Sequence, residues 1–176
     1  MTVGILYKVS GLGAVLGCDS RVTGGTGQIL SDQDEKWLVG GNIVSCCAGS
    51  LGGLWHDLRA QPPKTFAEFR LKTTDIDAVS AHDRDYELLV YDRKHDVIWH
   101  TDHSGEALKR GVFAAIGCGN AYAIGALSTS EQPKTLEQAE KLVRRALKVA
   151  CSHHSACGGR LRTIVIEGKR GPVTVR

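Results

Sequence analysis

The sequence predicts a layered α+β domain in which helices cover two antiparallel sheets. Apolar, β-rich segments come in groups that are separated by glycine turns. Helical segments lie between these groups instead of following each strand, so few parallel βαβ units fit the order. The 176 residues suit one compact core, and no repeat or linker interrupts them. We therefore expect residues 1–176 to form a single domain.

The first half of the chain is predicted to contain two hairpins and then two helices. The apolar segments that pair across glycine turns are Val3 to Val9 with Ala14 to Cys18, and Lys36 to Val39 with Ile43 to Ala48. Helices are expected over Leu51 to Arg59 and Thr65 to Leu71, on either side of Pro62-Pro63 and with Thr65 as an N-cap. The segment Thr74 to Asp85 is ambiguous.

The second half is predicted to alternate strands with two further helices. The expected strands are Tyr86 to Tyr91, Val97 to Thr101, Val112 to Gly117, Thr163 to Glu167 and Val173 to Val175. Gly119 to Ser128 predicts a helix of small residues. Thr135 caps a stronger helix, with Gln138 at the spacing of a capping box. One face of this helix is apolar: Leu136, Ala139, Leu142, Val143, Ala146, Leu147 and Ala150.

Composition excludes several classes of function. Hydrophobic residues make up 42% and charged residues 23%, and the formal charge is +3 without a Lys/Arg run. We therefore expect neither a nucleic acid partner nor a membrane partner, and no cofactor. The first residues lack the basic start and apolar core of a secretory signal, which favours a cytoplasmic protein.

The six cysteines are predicted to be reduced thiols rather than metal ligands or disulfides. None forms a CxxC pair, and Cys46 and Cys47 are adjacent inside an apolar strand. His153 and His154 lie between Cys151 and Cys157. Because neighbouring residues on a helix point about 100° apart, two adjacent histidines do not easily share one ion. We therefore predict no metal site.

Thr2 is the candidate nucleophile. Aminopeptidases that remove initiator methionine accept a small second residue, so removal of Met1 would leave a free α-amine on Thr2. That amine, with a pKa of roughly 7.7–8.0, can act as base for the hydroxyl of the same residue. If Met1 is retained, this chemistry is lost and Thr2 is only the start of a strand.

Three residues at predicted strand ends are candidates to assist Thr2. Asp19 ends one apolar strand and Lys36 opens another, so the two can pair. A lysine near Thr2 would lower the pKa of the hydroxyl and the amine. Gly49 follows a buried strand, and its N–H can point at a developing oxyanion. Each also has an ordinary interpretation, as a surface charge or a tight turn.

These residues resemble the proteasome β-subunit and HslV-like peptidase family of N-terminal-nucleophile hydrolases. The resemblance extends in order through most of the chain. Its segments are Thr2-Val3-Gly4-Ile5, Cys18-Asp19-Ser20-Arg21-Val22-Thr23, Ser31 to Val39, Ala48-Gly49-Ser50, Ala115-Ile116-Gly117-Cys118-Gly119 with the following Ala121-Tyr122-Ala123, and Ser155-Ala156-Cys157-Gly158-Gly159.

The resemblance implies a four-layer αββα sandwich and a threonine-type peptidase. Thr2 would attack the peptide carbonyl, Lys36 would tune the pKa values, Asp19 would hold Lys36, and the Gly49 N–H would stabilise the oxyanion. Val22, Cys47 and Leu51 would line the specificity pocket, with a preference for a medium apolar side chain. The expected partners are peptide or unfolded protein substrates, further copies of the chain in a homo-oligomeric ring, and an AAA+ ATPase unfoldase.

The chain also departs from the family pattern. Cys118, which the resemblance places with the catalytic residues, replaces a serine between two glycines. His154 and Cys157 stand in the possible last active-site loop, where the family has Asp or Asn and then Ser. The span between Gly49 and Tyr86 is shorter than the two long helices of the family, which weakens the expectation of a ring. A non-catalytic structural protein that keeps Met1, and a small-molecule amidohydrolase, therefore stay open as alternatives.

Overall fold

The computed structural model describes residues 2–24, 27–49, 52–74, 86–102, 104, 106–169 and 171–176. The strands in these ranges are β1 (Gly4–Val9), β2 (Gly13–Asp19), β3 (Val22–Thr23), β4 (Ile29–Ser31), β5 (Trp37–Gly40), β6 (Ile43–Gly49), β7 (Tyr86–Asp92), β8 (Val97–Asp102), β9 (Ala107–Arg110), β10 (Phe113–Ile116), β11 (Leu161–Glu167) and β12 (Val173–Val175). The helices are α1 (Gly52–Ala60), α2 (Phe66–Thr74), α3 (Asn120–Ser128) and α4 (Leu136–His153).

The strands form two five-stranded sheets and a small hairpin. The first sheet has the order β10-β1-β2-β11-β12 and the second the order β5-β6-β7-β8-β9, while β3 pairs with β4. Every pairing between the described strands is antiparallel. The predicted hairpins are confirmed, since β1 pairs with β2 and β5 with β6.

Alternate residues of a strand point to opposite faces of its sheet. In both sheets, each face carries buried apolar residues. In β1, Leu6 faces the second sheet while Ile5 and Tyr7 pack under α3 and α4. In β7, Leu89 faces the first sheet while Leu88 packs with α1 and α2. Three apolar cores result, one between the sheets and one under each helix pair. The fold is therefore a mixed helix-and-sheet arrangement, as predicted.

The helices begin and end close to the predicted positions. The side chains of Thr65 and Thr135 accept hydrogen bonds from the N–H groups of Glu68 and Gln138, both at 3.2 Å, which confirms both N-caps. Six of the seven apolar positions predicted in α4 are buried, and Leu136 is partly buried. None of the helices in the described ranges is long and apolar enough to cross a membrane.

Some local expectations differ from the structure. The predicted helix over Thr65 to Leu71 is observed as Phe66–Thr74, three residues longer at its end. The short strands β3, β4 and β9 were not predicted, because their sequences lack an apolar alternation, and none of their residues is buried. Of the ambiguous segment, Thr74 ends α2, and residues 75–85 lie outside the described residues.

Candidate active site

Thr2 lies at the start of β1, and its side chain is held by two charged groups. The residue is only 2% exposed. Its Oγ1 donates a hydrogen bond to Asp19 Oδ1 at 2.5 Å and accepts one from Lys36 Nζ. Its carbonyl oxygen accepts from the N–H of Gly119 at 3.4 Å. The hydroxyl is therefore oriented between an ammonium and a carboxylate.

Asp19 is brought to Thr2 by the pairing of β1 with β2. Gly4 lies opposite Cys18, so the next residue on each side places Asp19 beside Val3. Asp19 Oδ1 accepts from the Val3 N–H at 3.1 Å, and Oδ2 accepts from the Gly158 N–H at 2.8 Å. The carboxylate is 1% exposed, and these donors compensate its burial.

Lys36 reaches this point from the second sheet, where it directly precedes β5. Its Nζ lies 3.1 Å from Asp19 Oδ1 and also donates to the carbonyl oxygen of Arg21. Its own carbonyl accepts from the Cys47 N–H at 3.0 Å, which ties its backbone to β6. A buried ammonium next to a hydroxyl favours the ionised form of that hydroxyl. The structure thus brings together Thr2, Asp19 and Lys36 as the sequence predicted.

Two cavities meet at Thr2. The first has a volume of about 220 Å³, and Val22, Cys47 and Trp55 are among its lining residues. The second has a volume of about 200 Å³, and Glu87 and Cys118 are among its lining residues. Both also contact Thr2, Ala48 and Gly49. An extended chain that occupied both cavities would cross the Thr2 hydroxyl.

Gly49 ends β6 at the meeting point of the two cavities. It is exposed and has a φ of 92°, a backbone conformation that favours glycine. The oxyanion contact expected of its N–H stays a prediction. Val22 and Cys47 line the larger cavity as predicted, and the third predicted pocket residue, Leu51, lies outside the described residues.

The larger cavity also has a charged rim that the sequence analysis missed. Asp34, Glu35 and Arg59 line it, and Arg59 pairs with Glu35 at 2.6 Å. Arg59 and Glu35 are 24 positions apart, and no motif marks either of them. Only the packing of α1 beside the start of β5 brings them together.

The contacts of two further residues, Arg21 and Glu87, were also not predicted. Arg21 forms an ion pair with Asp32 at 2.8 Å and donates to the Ser155 carbonyl at 3.0 Å, so it holds the last active-site loop. Glu87 accepts from the Gly117 N–H at 2.8 Å and so holds the backbone next to Cys118. Each contact joins segments that are distant in sequence.

The structure brings Cys118, His154 and Cys157 together beside Thr2. The two Sγ atoms are 3.5 Å apart, and Cys118 Sγ is 3.5 Å from the Thr2 carbonyl oxygen. One side-chain donor atom from each of the three residues lies within 4.8 Å of the others. The hydrogen bond from Cys157, with a smaller contribution from the nearby His154, lowers the pKa of Cys118 to about 6. The same bond raises the pKa of Cys157.

All six cysteines are free thiols, as predicted. Cys18, Cys46, Cys47 and Cys157 are buried, whereas Cys118 and Cys151 are partly exposed. The side chains of His153 and His154 point in different directions, as expected for neighbours on a helix. His154 lies with the thiols, and the ring of His153 instead stacks on Tyr122 with centroids 5.3 Å apart.

Comparison with known protein families supports a proteasome-like protein. The family model for the proteasome subunit matches residues 87–166. This match runs from β7 to β11 and includes Cys118, His154 and Cys157, but not Thr2, Asp19, Lys36 or Gly49. A search of curated protein sequences found no match.

Comparison with solved structures shows the fold. The chain is similar to the Anbu (Gly-1) mutant from Hyphomicrobium sp. strain MC1, with a TM-score of 0.80 and 17% sequence identity. The similarity covers 100% of this chain and 86% of the other. The protein therefore has the fold of that structure.

Proposed function

We propose that the protein is a threonine-type endopeptidase in which Thr2 is the nucleophile after removal of Met1. The observation that carries the proposal is the position of the Thr2 hydroxyl, in contact with both Lys36 Nζ and Asp19 Oδ1 where two cavities meet. The proteasome-subunit match and the fold support the same class of protein. The three apolar cores fit the four-layer αββα sandwich of that class.

The proposed reaction begins when Thr2 Oγ attacks the carbonyl carbon of a peptide bond. The free α-amine of Thr2, directly or through a water, takes the hydroxyl proton and passes a proton to the leaving amine. Lys36 favours the alkoxide by its charge, and Asp19 fixes Lys36 and the hydroxyl. Water then hydrolyses the acyl-enzyme ester and restores the hydroxyl.

The oxyanion and the substrate side chain have assigned places in this proposal. The Gly49 N–H stabilises the oxyanion, a contribution of roughly 10²–10³ in rate for one such donor. The cavity with Val22, Cys47 and Trp55 takes the side chain before the cleaved bond. Its volume of about 220 Å³ suits a medium apolar residue. The second cavity takes the chain after the bond.

Two measurements on the wild-type protein test the proposal. Intact mass spectrometry should show the loss of one methionine, and a peptidyl epoxyketone should then add once, on Thr2. That reagent needs both the hydroxyl and the free amine. A sample without Met1 that neither reacts nor cleaves fluorogenic peptides would overturn the assignment.

Substitutions test the roles of individual residues. Thr2→Ala and Lys36→Ala should each abolish peptide turnover, because one removes the nucleophile and the other the adjacent charge. Lys8→Ala is the matched control. Lys8 is on β1, its Nζ lies 3.9 Å from Asp96 Oδ2, and it does not contact the site. Circular dichroism verifies folding. Wild-type turnover by folded Lys36→Ala would show that the site is assigned wrongly.

One observation favours a second candidate, a non-catalytic proteasome-like structural protein. Cys118 and Cys157 stand where the family resemblance implies polar groups of the active site. This candidate predicts that Met1 is retained and that the epoxyketone does not react. An amidohydrolase of the same superfamily would instead cleave small amides and leave peptides intact.

The proposal extends to assembly and location. The peptidase would form a homo-oligomeric ring in the cytoplasm and receive unfolded protein from an AAA+ ATPase. A closed ring would keep folded proteins away from the active site.

A further inference from the structure

We infer that Cys118, His154 and Cys157 form a binding site for a soft divalent metal ion of the Zn²⁺ class. This inference concerns binding and does not depend on the proposed peptidase activity. Among the described residues, no other group of three His, Cys, Asp or Glu side chains places its donor atoms this close together.

The distances between the donor atoms suit one shared ion. Zn²⁺ binds thiolate sulfur at about 2.3 Å and imidazole nitrogen at about 2.0–2.1 Å. Two sulfurs bound tetrahedrally at that length lie about 3.8 Å apart. The observed separation of 3.5 Å between Cys118 Sγ and Cys157 Sγ is close to that value. One ring nitrogen of His154 lies within 4.8 Å of both sulfurs and would complete a Cys₂His set by moving towards them.

The backbone already holds the three residues at this position. His154 caps α4, with its N–H bonded to the Ala150 carbonyl at 2.9 Å. Cys157 N–H donates to the His154 carbonyl at 2.9 Å, so these two form one turn. Cys118 comes from the other side, between β10 and α3, and Gly119 N–H is bonded to the Thr2 carbonyl. Little chain entropy is lost on binding when ligands are held in place beforehand.

The chemistry of the donor set selects a soft ion. Two thiols and one imidazole suit Zn²⁺ or Co²⁺ and do not suit Mg²⁺ or Ca²⁺, which prefer oxygen. His154 Nδ1 accepts a long hydrogen bond of 3.3 Å from the Ala156 N–H, and a metal ion bound at Nδ1 would replace this bond. Three protein ligands leave a fourth position for water or another small ligand.

The test uses the full chain, metal-free and kept reduced with a phosphine. Zn²⁺ titrated against a chromophoric chelator should bind at one ion per chain. Co²⁺ should give a visible d–d spectrum and a thiolate charge-transfer band, which identify sulfur ligands without any variant.

Variants then assign the ligands. Cys118→Ser, Cys157→Ser and His154→Gln should each weaken binding by more than the roughly 10–100-fold that loss of an outer-shell contact causes. Cys151→Ser and His153→Gln are matched controls, one a partly exposed cysteine and one a neighbouring histidine outside the group, and should bind as wild type.

Four results would overturn the inference, and the first three concern binding. These are the absence of stoichiometric binding by the reduced wild type, binding that survives the double variant Cys118→Ser/Cys157→Ser, and equal weakening by the control variants. A Cys118–Cys157 disulfide that persists in the presence of the phosphine would also overturn it, because it would remove both thiolates.

Discussion

At the scale of single residues, the buried ion pair of Lys36 and Asp19 determines the properties of the site. Lys36 is 7% exposed and Asp19 1% exposed, so each charge depends on the other and on nearby polar groups. Such pairs contribute little net stability compared with apolar residues, but losing one partner leaves an uncompensated charge. The pair therefore serves to hold the Thr2 hydroxyl between two charges rather than to stabilise the fold.

A double-mutant cycle tests this interdependence. Asp19→Asn and Lys36→Met should each lower the free energy of unfolding by roughly 3–5 kcal/mol, because each leaves one buried charge alone. In the double variant, the free energy of unfolding should fall by clearly less than the sum of the two single losses. Urea unfolding measures all four proteins. The partly exposed pair Lys8–Asp96 is the control and should show a coupling below about 1 kcal/mol. Additive losses for Asp19 and Lys36 would contradict the prediction.

The sequence allowed prediction of those site residues that stand next to recognisable segments. Thr2, Asp19, Lys36 and Gly49 each adjoin a strand whose apolar pattern could be predicted, so their position at the end of an element was visible. The contact between Cys118 and Cys157 could not be derived from local pattern, because the two residues are 39 positions apart and meet only through tertiary packing. Arg21 and Glu87 were missed for the same reason.

At the scale of elements, a polar chain of contacts connects the second sheet with the loop that carries Cys118. Arg110 of β9 contacts His100 Nδ1 at 2.6 Å, and His100 Nε2 of β8 lies 3.3 Å from Glu87 Oε1 of β7. Glu87 Oε2 in turn accepts from the Gly117 N–H. The loop between β10 and α3 is thus held by a neighbouring sheet as well as by Thr2.

This connection should be visible in the pH dependence of stability. The contact with His100 and the hydrogen bond from the Gly117 N–H lower the pKa of Glu87, against the opposing effects of its partial burial and of the nearby Asp102 charge. A lowered carboxyl pKa means that the ionised form stabilises the fold. This contribution is complete above the ordinary value of about 4.3 and disappears as the pH falls through the lowered folded-state value.

Glu87→Gln should therefore reduce stability at pH 7 and have little effect at a pH where Glu87 is protonated. The loss at pH 7 should be less than about 1 kcal/mol, because Glu87 is partly exposed. Thermal unfolding of wild type and variant across pH measures it. Glu106→Gln, an exposed acid beside β9, is the control. An equal difference between Glu87→Gln and wild type at every pH would contradict the prediction.

Elements with a strong periodic pattern were predicted well, and elements that depend on their neighbours were not. Helix α4 has the spacing of a capping box and an apolar face, and its predicted N-cap at Thr135 agrees with the structure. Strand β9 has one partly buried and three exposed residues, and it forms by pairing with β8. Its sequence alone therefore gives no signal. The short strands β3 and β4 depend on each other in the same way.

At the scale of the whole molecule, the proposed ring can be tested directly. Light scattering during size-exclusion chromatography should give a mass several times the 18.9 kDa of one chain. Among the described residues, Leu71 on α2 is the most exposed large apolar side chain, at 72%. If α2 contributes to the contact between copies, Leu71→Asp should shift the distribution towards smaller species. Leu12→Asp, on the turn between β1 and β2, is the control. A monomer at every concentration would contradict the ring.

The order of the strands also has a consequence for the newly made chain on the ribosome. The Asp19 carboxylate orients Thr2, and its Oδ2 accepts a hydrogen bond from the N–H of Gly158, 139 positions further along the chain. Strand β2 is enclosed only when β11 pairs with it from Leu161 to Glu167. Long-range pairings of this kind form late. A nascent chain that ends before this segment would carry the charged groups next to Thr2 but not the complete geometry, so we expect the proposed peptidase activity to be absent until this segment has been made.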